Sequence, residues 1–296
     1  MLRRLKNIAK FTLRDMVYCH IDSQDLTLEK INYWTERMKP WPAIFSPQYT
    51  RKIEIHANTF MRIGLIDYLH RCVAVDGVWD KKVLQVLTTK LREGHTFYDV
   101  GANIGYFSLI ASRLVGDSGR VIAFEPSLRA LNQLTNNVIE NDLRNVVLLS
   151  IAAGPQDRLA ELLKSSEGNT GMTTFCDHLG YRNVEHVPVF QIDKITESLG
   201  LSPSFVKIDI EGYEFEALKG MAKTLANHHP LVLMEVSREW LGKQGLTPLD
   251  IYHFMRNFYY TAFAVKLGTN ISFVPLDQTD FSNLEDQEEI LFCPPD

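Results

Sequence analysis

The chain has few cysteines, no clustered excess of positive charge along its length and no apolar run long enough to span a bilayer. Its four cysteines, Cys19, Cys72, Cys176 and Cys293, are scattered, show no CxxC spacing and follow no secretory apolar segment. That pattern favours reduced thiols in a cytoplasmic protein over a disulfide framework or a zinc site. An apolar run of about 18 residues or more is missing, so no transmembrane span is expected. With a net charge of −5 the chain offers no broad basic face, which argues against nucleic acid as a partner. One local exception is Arg3, Arg4, Lys6, Lys10 and Arg14, with no acid before Asp15. The preferred reading is the exposed basic face of an N-terminal helix, with a membrane-surface or targeting segment as the alternative. Metal-ligand spacings such as HxxxH are also missing. His228 and His229 read as solvated loop residues, while His178, His186 and His253 stand alone.

What is present is an ordinary core-forming composition, 45% apolar and 23% charged over 296 residues. Three zones are visible and no internal repeat. Residues 1–92 read as mostly helical, broken by the proline-rich turn around Lys39-Pro40-Trp41-Pro42. They form a candidate acceptor-binding or oligomerisation region, with Trp34, Trp41 and Trp79 able either to stack on a flat acceptor or to pack a core. Near its end, Val83, Leu84, Val86, Leu87 and Leu91 recur at helical spacing before Gly94, a C-terminal cap residue.

From residue 93 onward short apolar runs alternate with helical stretches. Strands are predicted at 96–100, 120–124, 146–151, 205–210 and 231–236, and helices at 106–114, 128–141 and 214–225. Near-continuous apolar strands separated by helices imply an α/β fold with a mostly parallel sheet covered on both faces. Residues 155–193 interrupt the alternation, with a strand predicted at 187–192. The tail offers strands at 262–266, 271–274 and 290–293, read as an antiparallel C-terminal edge.

The chemistry-bearing segment is Asp99-Val100-Gly101-Ala102-Asn103-Ile104-Gly105, a predicted strand end, a bend and a helix start. Gly101 permits a tight turn, Gly105 permits close approach to the backbone, and the helix start presents N–H groups suited to a carboxylate. A dinucleotide loop has GxGxxG spacing, whose central glycine makes room for a pyrophosphate. Here the spacing is GxxxG with Ala102 and Asn103 inside it, and Asp99 precedes it, an acid suited to an amino or sulfonium group. Glu125, ending the next strand in Ala123-Phe124-Glu125-Pro126, is placed to accept both hydroxyls of a ribose. Together these features select S-adenosylmethionine (SAM) over NAD. The expected cofactor-binding residues are Asp99, Gly101, Asn103, Gly105, Glu125, Pro126 and Ala153. The bland alternative is an ordinary strand-to-helix turn at Asp99 and a solvated strand end at Glu125.

The loop, Phe124-Glu125-Pro126, Gly168-Asn169-Thr170-Gly171 and Val206-Lys207-Ile208-Asp209-Ile210-Glu211-Gly212-Tyr213-Glu214 together resemble the FkbM family of SAM-dependent methyltransferases. The similarity runs from about residue 75 to residue 293, through Gln191-Ile192-Asp193 to the closing Ile290-Leu291-Phe292-Cys293-Pro294. It implies a Rossmann-like class I methyltransferase fold over residues 93–296. The activity implied is O-methylation of a hydroxyl on a sugar, glycan or specialised metabolite, so a small-molecule or carbohydrate acceptor is expected. A homo-oligomer stays open as a further partner. The resemblance also makes residues 168–171 a candidate lid, against the plain alternative of a Gly-Asn turn.

Methyl transfer to oxygen is an in-line displacement, so placement of the reactants is the main contribution, and a base is needed for a neutral hydroxyl. Positions two apart on a strand share a face, so Lys207, Asp209 and Glu211 are expected along one side of the strand as it reaches the carboxyl edge. Asp209 is assigned to the cofactor or acceptor side, and Lys207 and Glu211 to orienting or deprotonating the hydroxyl. These three are the expected catalytic residues, with Glu235 aimed at the same edge. A buried ion pair at Lys207 and a helix-dipole carboxylate at Glu211 are the structural alternatives. Asp209, Glu211 and Glu235 are also a candidate set for Mg²⁺, although nothing in the spacing demands a metal. Two competing functions remain at this point: an NAD-dependent enzyme, disfavoured by the glycine spacing, and a non-catalytic scaffold that keeps the fold.

Overall fold

In a computed structural model of the chain, residues 51–64, 68–164, 173–175, 183–268, 270–284 and 287–295 are described. The basic N-terminal residues, Trp34, Trp41, Cys19, Cys176, His178 and the candidate lid at 168–171 lie outside them. The chain divides into two compact units, with a boundary between Trp79 and Asp80.

Within the first unit, Arg51–His56 (β1) and Thr59–Ile63 (β2) pair as an antiparallel hairpin, followed by helix Tyr68–Asp76 (α1). Asn58 takes the left-handed conformation in the turn, at φ 53°. His70 Nδ1 accepts from the Gly64 N–H at 3.1 Å and ties the helix back to the hairpin. The mostly helical reading of residues 1–92 therefore misses a hairpin. Its alternation of charged and apolar residues in Arg51-Lys52-Ile53-Glu54-Ile55-His56 has the period of a strand.

The second unit opens with helix Lys81–Lys90 (α2), capped by Asp80, whose Oδ1 accepts from the Val83 N–H at 3.0 Å. Then come strand Thr96–Val100 (β3), helix Tyr106–Val115 (α3), strand Arg120–Phe124 (β4), helix Leu128–Glu140 (α4) and strand Val146–Leu149 (β5). Further on lie strand Phe205–Ile208 (β10), helices Glu214–Lys219 (α6) and Ala222–His228 (α7), and strand Leu231–Ser237 (β11). Helices Arg238–Lys243 (α8) and Pro248–Arg256 (α9) precede Thr261–Leu267 (β12), Ile271–Leu276 (β13), helix Gln278–Ser282 (α10) and Gln287–Cys293 (β14).

These strands form one sheet in the order β13-β12-β14-β11-β10-β3-β4-β5. The five from β11 to β5 are parallel, and β14 runs antiparallel between β11 and β12. The expected antiparallel tail is there, but its last strand slots inside the sheet and β13 takes the edge. Chain order reverses between β3 and β10, which opens a crevice at their carboxyl ends, where open α/β sheets bind ligands. Strand interiors are apolar because both faces are covered: Phe97, Val121, Ile122, Phe205, Val206 and Val232 are fully buried.

The interrupting segment folds as a second sheet, β6-β9-β7-β8, from Ala152–Ala153 (β6), Arg158–Lys164 (β7), Thr173–Thr174 (β8) and Asn183–Phe190 (β9). The expected strand at 187–192 stops at Phe190, and Ile192–Leu199 (α5) follows. Asp193 lies in that helix, and its carboxylate accepts from the Lys223 and Thr224 N–H groups at the start of α7, at 3.0 and 2.7 Å. The single helix predicted over 214–225 is two helices. Between them, at Gly220, a Cβ would lie 2.0 Å from the Gly154 carbonyl oxygen, so glycine is needed for that close approach.

Candidate active site

The loop after β3 is organised by backbone contacts. Gly101 and Ala102 N–H groups both donate to the Phe124 carbonyl at 3.0 Å, and Gly105 N–H donates to the Ala102 carbonyl at 2.8 Å. Gly101 has φ 82°, and a Cβ on it would come within 2.0 Å of the Asp209 carbonyl. Gly105 has φ 91°, and there the clash would be with Leu134 of α4, at 2.2 Å. The close approach expected at Gly105 is thus made by a core side chain. Asn103 is also left-handed at φ 50°, and its Oδ1 is buried with no hydrogen-bond partner among the described residues. Gly105 N-caps α3 without a side-chain hydrogen bond, leaving the N–H groups of the first turn uncapped by side chains.

Glu125 lies beside this loop, 4% exposed. Its Oε2 accepts from the Asn103 N–H and its Oε1 from the Ser127 N–H, each at 2.8 Å. Each oxygen keeps a further lone pair. Burial pushes its carboxyl up to about 7 despite these two N–H donors. Pro126 follows directly, while the Ala153 side chain sits in the hydrophobic core with Tyr98, Phe124 and Ile192, so only its backbone is available to a ligand. The cradle fits a ribose-bearing group: an anchored carboxylate, an orphaned amide oxygen and an uncapped helix start converge on one loop.

Asp99 and Lys207 are register partners on β3 and β10, and both side chains are buried. Lys207 Nζ lies 3.5 Å from Asp99 Oδ1 and 3.3 Å from Asp209 Oδ2, and Asp99 Oδ2 accepts from Ser108 Oγ at 2.6 Å. Desolvation disfavours the ammonium, but Asp209 and Asp99 outweigh it and hold Lys207 above its ordinary range. The Asp99 carboxyl is raised by burial, which Lys207 and Ser108 oppose.

Strand β10 ends at Ile208, so Glu211 is not on its face as predicted. It sits in a turn at φ 53°, followed by Gly212 at φ 100°. The turn is clamped from two sides. Glu214 Oε1 accepts from the Ile210 and Gly212 N–H groups at 3.1 and 3.0 Å. On the other side Gln244 Nε2 donates to the Gly212 carbonyl, and a Cβ on Gly212 would meet the Trp240 ring at 3.0 Å. Burial, then the Asp209 and Glu214 carboxylates, push the Glu211 carboxyl up to about 8. Glu235, on β11, is raised by burial and by Asp209, and Gln287 donates to it.

Residues 99–262 match the Methyltransferase FkbM domain. The chain belongs to the FkbM methyltransferase family. Over 209 residues it is 24% identical to the hexuronic acid methyltransferase AglP of Haloferax volcanii, spanning 68% of this chain and 81% of that protein. Over 102 residues it is 29% identical to a probable cobalt-precorrin-6B C(15)-methyltransferase (decarboxylating) of Sulfurisphaera tokodaii, covering 29% of this chain and 53% of that one. Among solved structures it is similar to the FkbM methyltransferase of Methylobacillus flagellatus KT, at 18% identity and a TM-score of 0.46. That match covers 76% of this chain and 52% of the other, so the chain spans about half of that protein's length.

In this FkbM chain, Asp99, Lys207 and Asp209 come together as a triad in which Asp99 and Lys207 are buried and Asp209 is 37% exposed at its side chain, while Glu125 is bonded to Asn103 of the neighbouring loop. No described helix is long and apolar enough to cross a membrane. Among the described residues no group of three or more His, Cys, Asp or Glu is arranged to hold a metal ion. His186 faces Glu161 on the second sheet and His253 packs on Tyr252 of α9. Sequence reasoning gave no role to Glu214, Gln244, Asp80 or Glu289. Glu214 was visible as the acid two residues after Gly212. Gln244 and Asp80 become neighbours of the strand ends only through tertiary packing.

Proposed function

We propose that the chain is a SAM-dependent O-methyltransferase acting on a hydroxyl of a sugar, glycan or related metabolite. The observation that carries the reading is the Glu125 carboxylate, fixed by the Asn103 and Ser127 N–H groups beside a left-handed loop at the sheet's switch point. Glu125 and the Asn103 amide would hold the ribose, and the uncapped start of α3 the methionine carboxylate. When bound, SAM supplies a methyl on a positively charged sulfur leaving group.

The chain's own residues then place and deprotonate the acceptor. Lys207 keeps its proton, so it orients and does not serve as a base. Asp209, 37% exposed at its side chain, is the member of the triad that reaches the open edge. Glu211 is the base: with its carboxyl raised to about 8 it is a stronger proton acceptor than an ordinary glutamate. Glu211 would take the hydroxyl proton as the acceptor oxygen is methylated, while Lys207 and Asp209 would hold that oxygen in line. Glu214, Gln244 and Trp240 hold the turn that carries this carboxylate. The likeness to the hexuronic acid methyltransferase of Haloferax volcanii supports a carbohydrate acceptor.

The test is incubation of the full chain with methyl-deuterated SAM and a panel of neutral, amino and uronic sugars, read by mass spectrometry. Appearance of a deuteromethyl ether is expected. Label appearing only on nitrogen or carbon of the acceptors would contradict O-methylation.

A further inference from the structure

The ends of three strands of the second sheet converge on one side chain outside that sheet, Tyr213, two residues beyond Glu211. Arg158, the first residue of β7, donates from Nη2 to the Tyr213 hydroxyl at 2.9 Å. Phe175, directly after β8, meets the Tyr213 ring with centroids 4.9 Å apart and planes tilted by 55°. Gly154, directly after β6, lies against the same ring. A Cβ there would be 3.4 Å from Tyr213 Cε1 and 2.5 Å from Val189 Cγ1 of β9. Phe175 in turn packs on Ala152, Ala160, Leu162, Val187 and Val189, the core of the second sheet.

Tyr213 N-caps α6 and is joined through Gly212 to Glu211. Glu211 and Gly212 both hold positive φ, at 53° and 100°. A non-glycine residue stays left-handed only where its surroundings over-determine it. Glu214, Gln244 and Trp240 act on the turn at Ile210 and Gly212. Tyr213 fixes it on the side where the chain enters α6. Among the described residues the Arg158 guanidinium makes no other hydrogen bond or ion pair, and its neighbour Asp157 is taken by Lys194 at 2.7 Å. Its charge therefore serves the Tyr213 hydroxyl.

We infer that Arg158 and Tyr213 are positioning residues for methyl transfer: through them the second sheet holds the Glu211 carboxylate in place. The inference rests on the reading of Glu211 as the base and gives the second sheet a part in that step. Both side chains act through the turn and not by contact with the acceptor. Glu211 faces Asp209 and Glu214, opposed by Lys207, and acts in turn on Glu235. Burial is the largest cause of its raised carboxyl, so a loosened turn that admits water lowers it.

The test is an NMR pH titration of the full chain bound to S-adenosylhomocysteine (SAH), isotope-labelled at its glutamate side-chain carboxyl carbons. The Glu211 signal is assigned by its loss in Glu211→Gln, and in the wild type it is expected to titrate at about 8. In Tyr213→Phe and Arg158→Ala the midpoint should fall by about one pH unit, a tenfold stronger acid. Arg158→Lys, which keeps a charged donor, should hold it near the wild-type value. SAH affinity should be unchanged in all three, which also shows that they fold. On a sugar that acquires the deuteromethyl ether, kcat should fall about tenfold in Tyr213→Phe and Arg158→Ala, with KM unchanged. A midpoint that neither variant moves overturns the inference. So does a rise in KM alone, which would place the two side chains against the acceptor, or a loss of SAH affinity that accompanies the lower midpoint. If the wild-type signal titrates in the ordinary glutamate range, it is the underlying reading of Glu211 as the base that falls.

Discussion

Glu211 and Glu214 share one turn, yet their carboxylates do different work. Glu214 is consumed by two backbone N–H groups and shapes the turn, whereas Glu211 is held at the sheet's open edge with its proton affinity raised. A base works in its deprotonated form, so kcat/KM should rise with pH and level off above about 8, as read from a pH–rate profile. Glu211→Gln should lower turnover by about 10²–10⁴-fold without changing SAM affinity, and single-turnover kinetics separates the two. Lys207 is a different case, since its removal leaves Asp99 buried without its cation. Lys207→Met should therefore cost about 3–5 kcal/mol of stability, measured by urea denaturation. Glu211 was legible in the sequence as an acid near the strand end, but its left-handed turn was not. A two-residue alternation argument assumes that the strand continues, and β10 stops at Ile208.

At the scale of elements, the parallel strands could be read because each is an apolar run buried on both faces. The loop after β3 could be read because Gly101 and Gly105 mark backbone that other residues cannot adopt. Sequence reasoning failed where long-range contact decides. The predicted 214–225 helix is broken at Gly220, where the Gly154 carbonyl leaves no room for a Cβ, and α5 follows β9 without a glycine or proline between them. The β1–β2 hairpin was lost inside a region judged by its helical segments. Gly101 gives the sharpest test of local necessity. Gly101→Ala places a methyl 2.0 Å from the Asp209 carbonyl at a positive φ, so β3 and β10 must separate at the switch point. A stability loss of about 1–3 kcal/mol is expected, together with weakened SAM binding. Both are readable by thermal shift with and without SAM.

Over the whole molecule, the buried acids make stability depend on pH in an unusual direction. Glu125 and Glu214 are raised to about 7 and Glu211 to about 8 by burial. A folded pKa above the unfolded one contributes stability that is full below the unfolded pKa and lost as pH rises through the folded value. The melting temperature should therefore fall between about pH 5 and pH 8, and the fall should be shallower in Glu211→Gln. Asp157, Asp250 and Asp277 have lowered values from hydrogen bonds to their carboxylates. Their stabilisation is lost only as pH drops below the ordinary carboxylate range, outside this window. A differential scanning fluorimetry series across pH reads the slope directly.

The central claim is that the loop from Asp99 to Gly105, with Glu125 beside it, is a SAM cradle. Isothermal titration of the full chain with SAM, SAH and NAD, repeated on Glu125→Ala, addresses it most directly. One-to-one binding of SAM and SAH is predicted, weakened by about tenfold or more in Glu125→Ala, with no heat from NAD. Binding of NAD in place of either SAM form, or an affinity for SAM that Glu125→Ala leaves untouched, would contradict it.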